Sequence, residues 1–518
     1  MVTRPAHPAG NASLPGRPEV RRERVLSSPT TETAQTIARN TTLLVTSDIV
    51  TKLFLFLYTV FIARYLGTSG FGIIAFALAF TGLFTVFADM GLGLLTTREV
   101  ARDKSMALRY LSNGLSIKLV LAVVTYGAMV LTINLMDYPH ETVVAVYIAG
   151  LSVICAAFAE FFNSLFMAFE RMKHVAIGRI INAAAVLVGA LLVMRLEAGV
   201  VGVALVFLVA SSAMLVYNVI VFTVRFLVPK LDFEFGFWKA LLKEGWPFGF
   251  FAILGVIATR IDIIMLSAFK GDHVVGQYEA AVTVAVALQF VPVAVVNSFF
   301  PKLSEYSQDK EMLESLSRKM NRVLVVVAVL FTTGMVFFAG RAIPLIYGAE
   351  FNESIVLLQI LSPYVLLTCL PADGIVLNAV RRQRAKFYAS VVMVITNVVL
   401  NLIFIPKYGA IAAAGTTILS HVVLRVLYIV MVRMMGLKTF SLDFGLVLIV
   451  AGGIGSGYVF GQLLDGLNLF LSIFMCAGTY LAIAYFGFAR KEEREFINSS
   501  LMRSVSFLRR TPARGKTV

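Results

Sequence analysis

Long apolar stretches, separated by short polar ones, fill the chain from about residue 40 to residue 489. A window of about 20 apolar residues is long enough for an α-helix to cross the hydrocarbon core of a bilayer. The pattern predicts an all-α integral membrane protein with about fourteen transmembrane helices. They lie near residues 41–64, 72–94, 110–134, 143–167, 175–194, 199–224, 244–268, 276–300, 323–346, 355–380, 386–405, 410–432, 441–463 and 468–489.

The basic residues between these apolar stretches alternate along the chain. Loops that follow even-numbered helices, together with the adjoining helix ends, carry 22 Lys and Arg residues, whereas those that follow odd-numbered helices carry 5. Positive charge stays on the cytoplasmic side of the membrane during insertion. The pattern therefore predicts that both termini are cytoplasmic.

The composition agrees with this class and excludes others. Hydrophobic residues make up 58% of the chain and charged residues 14%, against about 25% charged residues in soluble domains. Most of the net charge of +15 lies in the predicted cytoplasmic loops, so we expect no nucleic-acid partner. Cys155, Cys369 and Cys476 are scattered through apolar stretches and the five histidines form no cluster, so we expect no disulfide, metal or cofactor.

A weak internal repeat divides the helical region. The segment that begins at Gly72 matches the one that begins at Gly276, and Gly199 matches Gly409, each at the start of a helix after a short turn. Parallel repeats of this kind form two bundles related by an axis along the membrane normal, with the transport path between them. We therefore expect a first half at residues 39–225 and a second half at residues 226–435, each of six helices, followed by helices 13 and 14 at residues 436–489.

The remaining segments are polar or amphipathic. Residues 1–38, rich in Pro, Ser, Thr and Arg, predict a disordered basic cytoplasmic tail. Residues 490–518 predict a basic amphipathic cytoplasmic tail, and an aromatic-rich stretch at residues 233–246 predicts a segment that lies at the membrane interface. We expect the amphipathic segments to contact membrane lipid.

Several short sequences resemble a known family. Residues 63–72 (ARYLGTSGFG), 87–93 (FADMGLG) and 97–102 (TREVAR) are similar to the opening of the polysaccharide-biosynthesis flippases, which are Wzx-like. These belong to the multidrug/oligosaccharidyl-lipid/polysaccharide (MOP) exporter superfamily, which also contains the MATE-like transporters. Residues 260–266 (RIDIIML), 300–304 (FPKLS) and 346–351 (IYGAEF) resemble the second half of the same family.

The resemblance covers about residues 40–435 and implies a function. Such a protein would be a multi-pass flippase of the plasma (inner) membrane. It would move an oligosaccharide linked to polyprenyl (pyro)phosphate from the inner to the outer leaflet, for surface polysaccharide biosynthesis, by alternating access between the two bundles.

Charged residues inside the predicted helices are the candidate binding residues. Each costs about 2.5–3.5 kcal/mol at mid-membrane on insertion scales, so it should face water or have a partner. Lysine and arginine suit a pyrophosphate head group because they donate charge-assisted hydrogen bonds. The cavity candidates are Lys52, Arg260, Arg425, Lys118, Asp48 and Glu279.

Two pairings would reduce this set. Asp48 and Lys52 are four residues apart on one helix face, so a mutual ion pair is the alternative to ligand binding for these two. Arg260 and Glu279 lie at similar depth on consecutive predicted helices, so they also qualify as partners. Either pair would leave less charge for a ligand.

Two other functions fit part of the pattern. A cation-coupled multidrug exporter of the same superfamily would favour a cavity dominated by carboxylates, whereas the intramembrane charges here are mixed. A membrane glycosyltransferase or polymerase would need catalytic groups on a sizeable outer loop, and the longest predicted outer loop has about ten residues. We therefore expect a transporter and no enzyme, driven by a coupling ion, H⁺ or Na⁺, or by consumption of the cargo on the far side.

Overall fold

The computed structural model describes residues 31–369, 372–439, 444–464 and 466–488. Within these ranges the chain is helical, without strands. The α-helices are α1 (Thr31–Asp89), α2 (Leu92–Arg102), α3 (Ala107–Asn134), α4 (His140–Ala168), α5 (Met172–Leu196), α6 (Gly199–Arg225), α7 (Phe235–Lys270), α8 (Asp272–Ala287), α9 (Phe290–Glu305), α10 (Lys310–Tyr347), α11 (Glu353–Cys369), α12 (Ala372–Ala379), α13 (Gln383–Met434), α14 (Phe444–Tyr458) and α15 (Leu469–Ile483). Among the described residues, eleven helical spans are long and apolar enough to cross a membrane, so the chain is a multi-pass membrane protein.

Two element boundaries differ from the expected ones. Helix α1 begins at Thr31, inside the segment predicted to be a disordered tail. The helix predicted at residues 276–300 is divided into α8 and α9, and Pro292 stands in the first turn of α9. A proline is tolerated in a first turn because its missing N–H would have no intrahelical partner there. The predicted tails at residues 1–30 and 490–518 lie outside the described residues.

Helices α1 and α13 each contain a kink at one glycine. Gly67 has φ 66° and ψ −173°, and Gly409 has φ 60° and ψ −135°. Glycine adopts such positive φ values without the steric cost of a Cβ atom. Each of these long elements therefore consists of two helical segments that meet without a loop.

The turns after α4 and α12 have the same hydrogen bonds. The backbone N–H groups of Arg171 and Arg382 each donate to the carbonyl five residues earlier, at 2.8 Å in both turns. The preceding residues, Glu170 and Arg381, both have φ 59°. This arrangement satisfies the free carbonyls at a helix C-terminus. Two points 211 residues apart thus share one local geometry.

Apolar side chains cover the outside of the helical assembly as well as its interior. Val123, Val209 and Ile395 are 69%, 64% and 57% exposed, beside many other exposed large apolar residues. A soluble monomer rarely leaves so much contiguous apolar surface in water. The exposed faces are therefore suited to contact with lipid chains.

Helix α14 packs closely against α10 through small residues. A Cβ atom on Gly457 would overlap the Phe337 and Thr333 side chains of α10. At one end of this contact, Arg341 of α10 donates to the carbonyl of Phe460 at 3.1 Å. These contacts attach the last helices to α10.

Candidate substrate and cation sites

Helices α1 and α8 cross at the end of the assembly that contains Gly67, which the charge pattern predicts to be the outer end. A Cβ atom on Gly72 of α1 would overlap the carbonyl oxygen of Asp272, and one on Gly276 of α8 would overlap the carbonyl oxygen of Thr68. Backbone contact this close requires glycine at both positions. The internal repeat of the sequence pairs these same two glycines as equivalent positions, and both lie at this one crossing.

Polar side chains add to this outer crossing. The Arg64 guanidinium donates to the Ile346 carbonyl at 2.8 Å and to the Leu345 carbonyl, in the last turn of α10. Carbonyls at a helix C-terminus carry partial negative charge, which favours a cation there. The Thr68 hydroxyl lies 2.7 Å from Nδ1 of His273. Arg64 therefore links α1 to α10.

A second contact, of α2 and the residue before it with α7, lies at the opposite, predicted inner end. A Cβ atom on Gly91, before α2, would overlap the carbonyl oxygen of Gly245 in α7. Arg98 of α2 forms an ion pair with Glu244 at 3.2 Å. The start of α7 is thus held against α2.

The segment before α7 is attached to the same surface. The Arg109 guanidinium bonds to the Glu234 carboxylate, and Trp238 Nε1 donates to Asn113 Oδ1 at 3.1 Å. Its bonding to Arg109 lowers the pKa of Glu234 below the ordinary glutamate value. The predicted interfacial stretch is therefore fixed by specific polar contacts to α3.

Lys118 is buried and has a partner. Its Nζ lies 2.7 Å from Asp89 Oδ1 and 3.3 Å from the Ala88 carbonyl oxygen, and it stands 5.6 Å from the centroid of the Phe161 ring. The side chain is 1% exposed. These contacts make Lys118 a structural cation, and they weaken its place among the cavity candidates.

Arg425 also lies in a buried ion pair. Its Nη2 is 3.1 Å from Oδ2 of Asp373, and the Thr439 hydroxyl donates to the other carboxylate oxygen. The Arg425 side chain is 12% exposed and that of Asp373 is 1% exposed. The pair joins α13 to α12, so any anion that binds Arg425 would compete with Asp373.

Arg260 and Glu279 come within ion-pair distance, as their predicted depths allowed. Arg260 Nη1 lies 3.8 Å from Glu279 Oε1, and Glu279 Oε2 has no hydrogen-bond partner among the described residues. The Arg260 side chain is 42% exposed. Because the two charged groups are this far apart and Arg260 is partly exposed, N–H donors of its guanidinium remain accessible to a ligand.

The ion pair considered between Asp48 and Lys52 is not formed. Asp48 Oδ1 instead lies 3.3 Å from Arg179 Nη1, because α5 packs along α1 and brings a longer guanidinium side chain to it. The Lys52 side chain is exposed and has no ion pair or hydrogen bond with the described residues. Lys52 is therefore the candidate cation whose charge is most available.

A polar cluster that was not among the candidates surrounds Asp262, in the second half. The buried Asp262 carboxylate accepts hydrogen bonds from Tyr278 at 3.0 Å and from Thr417 at 2.7 Å on one oxygen, and from Asn401 on the other. Asn401 donates also to Asn397 at 3.1 Å. The cluster joins α7, α8 and both segments of α13.

No basic side chain within the described residues forms an ion pair with Asp262. A buried carboxylate that lacks a counter-charge is costly unless it takes up a proton or a cation. The same residues contain no group of three or more His, Cys, Asp or Glu that would hold a transition metal. Asn397, Asn401 and Thr417, polar residues within apolar stretches, were the sequence signal for this cluster.

Known proteins are similar to the chain over most of its length. A protein of Haloferax volcanii described as "Probable low-salt glycan biosynthesis flippase Agl15" is 24% identical over 379 residues, which cover 72% of this chain and 78% of the relative. Residues 37–307 match the family described as polysaccharide biosynthesis protein.

Two solved structures share the fold. A lipid II flippase MurJ in an inward closed conformation has a TM-score of 0.72 at 18% identity, covering 85% of this chain and 97% of that one. An inward-facing MATE family multidrug resistance transporter of the MOP superfamily has a TM-score of 0.61 at 13% identity, covering 74% of this chain and 94% of that one. Because the family match spans just over half of the 518 residues, and the helical membrane fold agrees with it, the chain belongs to the polysaccharide biosynthesis protein family.

Proposed function

We propose that this protein is a flippase that moves an oligosaccharide linked to polyprenyl (pyro)phosphate from the inner to the outer leaflet of the plasma membrane. The observation that carries the proposal is membership of the polysaccharide biosynthesis family together with a fold shared with a lipid II flippase. The relatives are named as transporters, which favours transport over a catalytic role.

We propose fourteen membrane crossings with both termini inside. Eleven helical spans are long enough to cross the membrane, and the kinks at Gly67 and Gly409 divide two of them into two crossings each, which gives thirteen. The shorter apolar helix at Val447–Leu463 supplies the fourteenth. The alternation of basic loops supports the orientation.

We further propose that residues 39–225 and 226–435 act as the two moving halves, with residues 436–489 attached to the second. The identical turns at Arg171 and Arg382 and the crossing of Gly72 with Gly276 support a duplicated unit. In one state of alternating access, the contacts at the outer crossing would break while those at Gly91 remain. In the other state, the contacts at Gly91 would break while the outer crossing remains.

Within the path, we propose that Lys52, Arg260 and Arg425 meet the (pyro)phosphate of the cargo. Lys52 offers an unshared charge, Arg260 is held loosely, and Arg425 would exchange Asp373 for phosphate oxygen. Exchange of one anionic partner for another keeps the Arg425 charge compensated, while Asp373 would keep its hydrogen bond from Thr439. Lys118 and Asp48 would serve structure through Asp89 and Arg179.

We propose that the Asp262 cluster takes the coupling cation, H⁺ or Na⁺. A proton on the carboxylate, or a small cation among the oxygen atoms of Asp262, Thr417 and Asn401, would neutralise the buried charge. Since the cluster bridges α7, α8 and α13, its occupancy would change how these helices pack.

A proteoliposome assay tests the function. The purified protein should move an undecaprenyl-diphosphate oligosaccharide to the opposite leaflet, where an added glycosidase digests it, without lengthening or cleaving it. A glycosidic product formed by the protein alone would support the polymerase alternative. Efflux of lipophilic cations without movement of the lipid-linked sugar would support the multidrug alternative.

A further inference from the structure

An exposed group of aromatic rings lies where α7 and α13 meet near the predicted inner end. Trp246 and Phe250 have ring centroids 5.8 Å apart, Phe250 and Phe387 5.8 Å, and Phe251 and Phe387 4.5 Å. Tyr388 extends the group, 5.7 Å from Phe387. We call these five residues the inner aromatic cluster. Trp246, Phe251 and Tyr388 are all more than half exposed.

Basic residues that form no ion pair with any described residue border this cluster. Lys386 precedes Phe387 directly, is half-buried, and forms no ion pair or hydrogen bond through its amine with the described residues. The first turn of α13 contains no acidic residue, whereas Arg382 and Arg384 stand close to Lys386 in the chain. Like charges close together repel one another, and partial burial removes the water that would screen them. This arrangement is stabilised when an anion binds.

The duplicated fold does not require these side chains. Counting from the equivalent turns at Arg171 and Arg382, the positions of Lys386 and Phe387 correspond to Val175 and Ala176 in the first half, which are buried. The turn after α12 is thus followed by a cation and an aromatic ring where the turn after α4, with the same geometry, is followed by small apolar residues.

We propose that the inner aromatic cluster and Lys386 form the surface on which the isoprenoid diphosphate end of the cargo first binds from the inner leaflet. Lys386 would bond to the diphosphate, and the rings would contact the first isoprene units. Ring faces and edges pack well against branched, unsaturated chains, and a diphosphate supplies the compensating negative charge. The inference rests on the proposed function, because it assumes a polyprenyl carrier.

Binding of undecaprenyl diphosphate to the full-length protein in phosphatidylcholine nanodiscs tests this surface. Lys386→Gln should weaken binding about tenfold, the effect of losing one charge-assisted hydrogen bond, and the double variant Trp246→Ala/Phe251→Ala should weaken it similarly. Two matched controls should bind within about twofold of the wild type: Lys173→Gln, an exposed cation at the equivalent turn of the first half, and Phe470→Ala, an exposed ring on α15.

A crosslinking measurement keeps the test independent of folding defects. p-Benzoylphenylalanine in place of Phe250 should form an adduct with undecaprenyl diphosphate, and excess phosphatidylglycerol should not suppress it. Suppression by phosphatidylglycerol would mean an ordinary phospholipid site and would overturn the proposal, as would full affinity in Lys386→Gln. If the wild type fails to translocate the lipid-linked sugar in proteoliposomes, the proposed function fails, whatever the binding result.

Discussion

Arg425 and Asp373 form a buried ion pair in which Nη2 and Oδ2 are 3.1 Å apart. The removal of one member of such a pair leaves an uncompensated charge and typically costs about 3–5 kcal/mol of stability, whereas neutral replacement of both costs much less. Stability and transport can therefore be separated at this pair.

We expect Arg425→Ala to lower both thermal stability and export. The double variant Arg425→Ala/Asp373→Asn should recover much of the stability but none of the export, because the cargo would still lack its cation. Thermal unfolding of the purified protein and the proteoliposome assay measure the two effects. Export restored in the double variant would show that the pair has a structural role only.

A second prediction concerns the outer crossing. Gly72→Ala and Gly276→Ala should force α1 and α8 apart there, since overpacking costs about 1–3 kcal/mol and so shifts a two-state equilibrium by roughly 5-fold to 150-fold. A cysteine at Thr68, in a variant without the natural cysteines, should then react faster with an impermeant thiol reagent. Gly82→Ala is the control, since a Cβ atom there meets nothing within 4 Å. Equal reaction rates in all three variants would contradict the steric role of the crossing.

A third prediction concerns coupling. Asp262→Asn should abolish the dependence of export on a proton or sodium gradient, because a neutral amide neither takes up a proton nor attracts a cation. Export should fall to the level measured without a gradient, while abundance in the membrane stays near normal. Glu311→Gln, an exposed carboxylate change on α10, serves as the control. Gradient-driven export at the wild-type rate in Asp262→Asn would exclude this carboxylate as the coupling group.

A fourth prediction follows from the lowered pKa of Glu234. A carboxylate whose pKa is lower in the folded state stabilises that state above its ordinary pKa, near 4.5, and the stabilisation is lost as the pH falls through the lowered value. Attachment of the segment before α7 should therefore weaken below about pH 4.5. A spin-label pair at Lys104 and Gly236 should report the loosening, and Glu234→Gln should show loose attachment at all pH values. An unchanged distance in that variant would mean that Trp238 and Asn113 suffice.

A fifth prediction tests the orientation. Asp103 and Asp137 lie near opposite ends of α3 and are both exposed. In intact cells, a cysteine at 137 should react with an impermeant thiol reagent and a cysteine at 103 should not. Permeabilised cells provide the control for reactivity. The reversed result would invert the proposed topology.

Apolar run lengths and loop charges were enough to predict a multi-pass helical protein, because the bilayer constrains both directly. Side-chain pairing was harder to predict. Asp48 and Lys52 share a helix face, yet Asp48 forms its ion pair with Arg179 of another helix. Arg260 and Glu279 do approach each other, because they lie at similar depth on consecutive helices.

The Asp262 cluster shows why a list of charges misses some sites. Four of its five members are neutral, and they come from positions 278, 397, 401 and 417, which converge only when the helices pack. Of the five members, a search restricted to Lys, Arg, Asp and Glu finds only Asp262. Polar residues four apart in an apolar helix, such as Asn397 and Asn401, are the more useful signal.

At the kinks of Gly67 and Gly409, no loop residues separate the two helical segments. Where two helical segments meet through a single residue, an inserted amino acid cannot be absorbed in a loop and instead rotates the following segment by about 100°. Such a rotation after Gly67 would turn Gly72 away from α8 and present a larger side chain to it. Homologous chains should therefore vary in length at their true loops and keep a constant spacing between these two glycines and the faces that follow them.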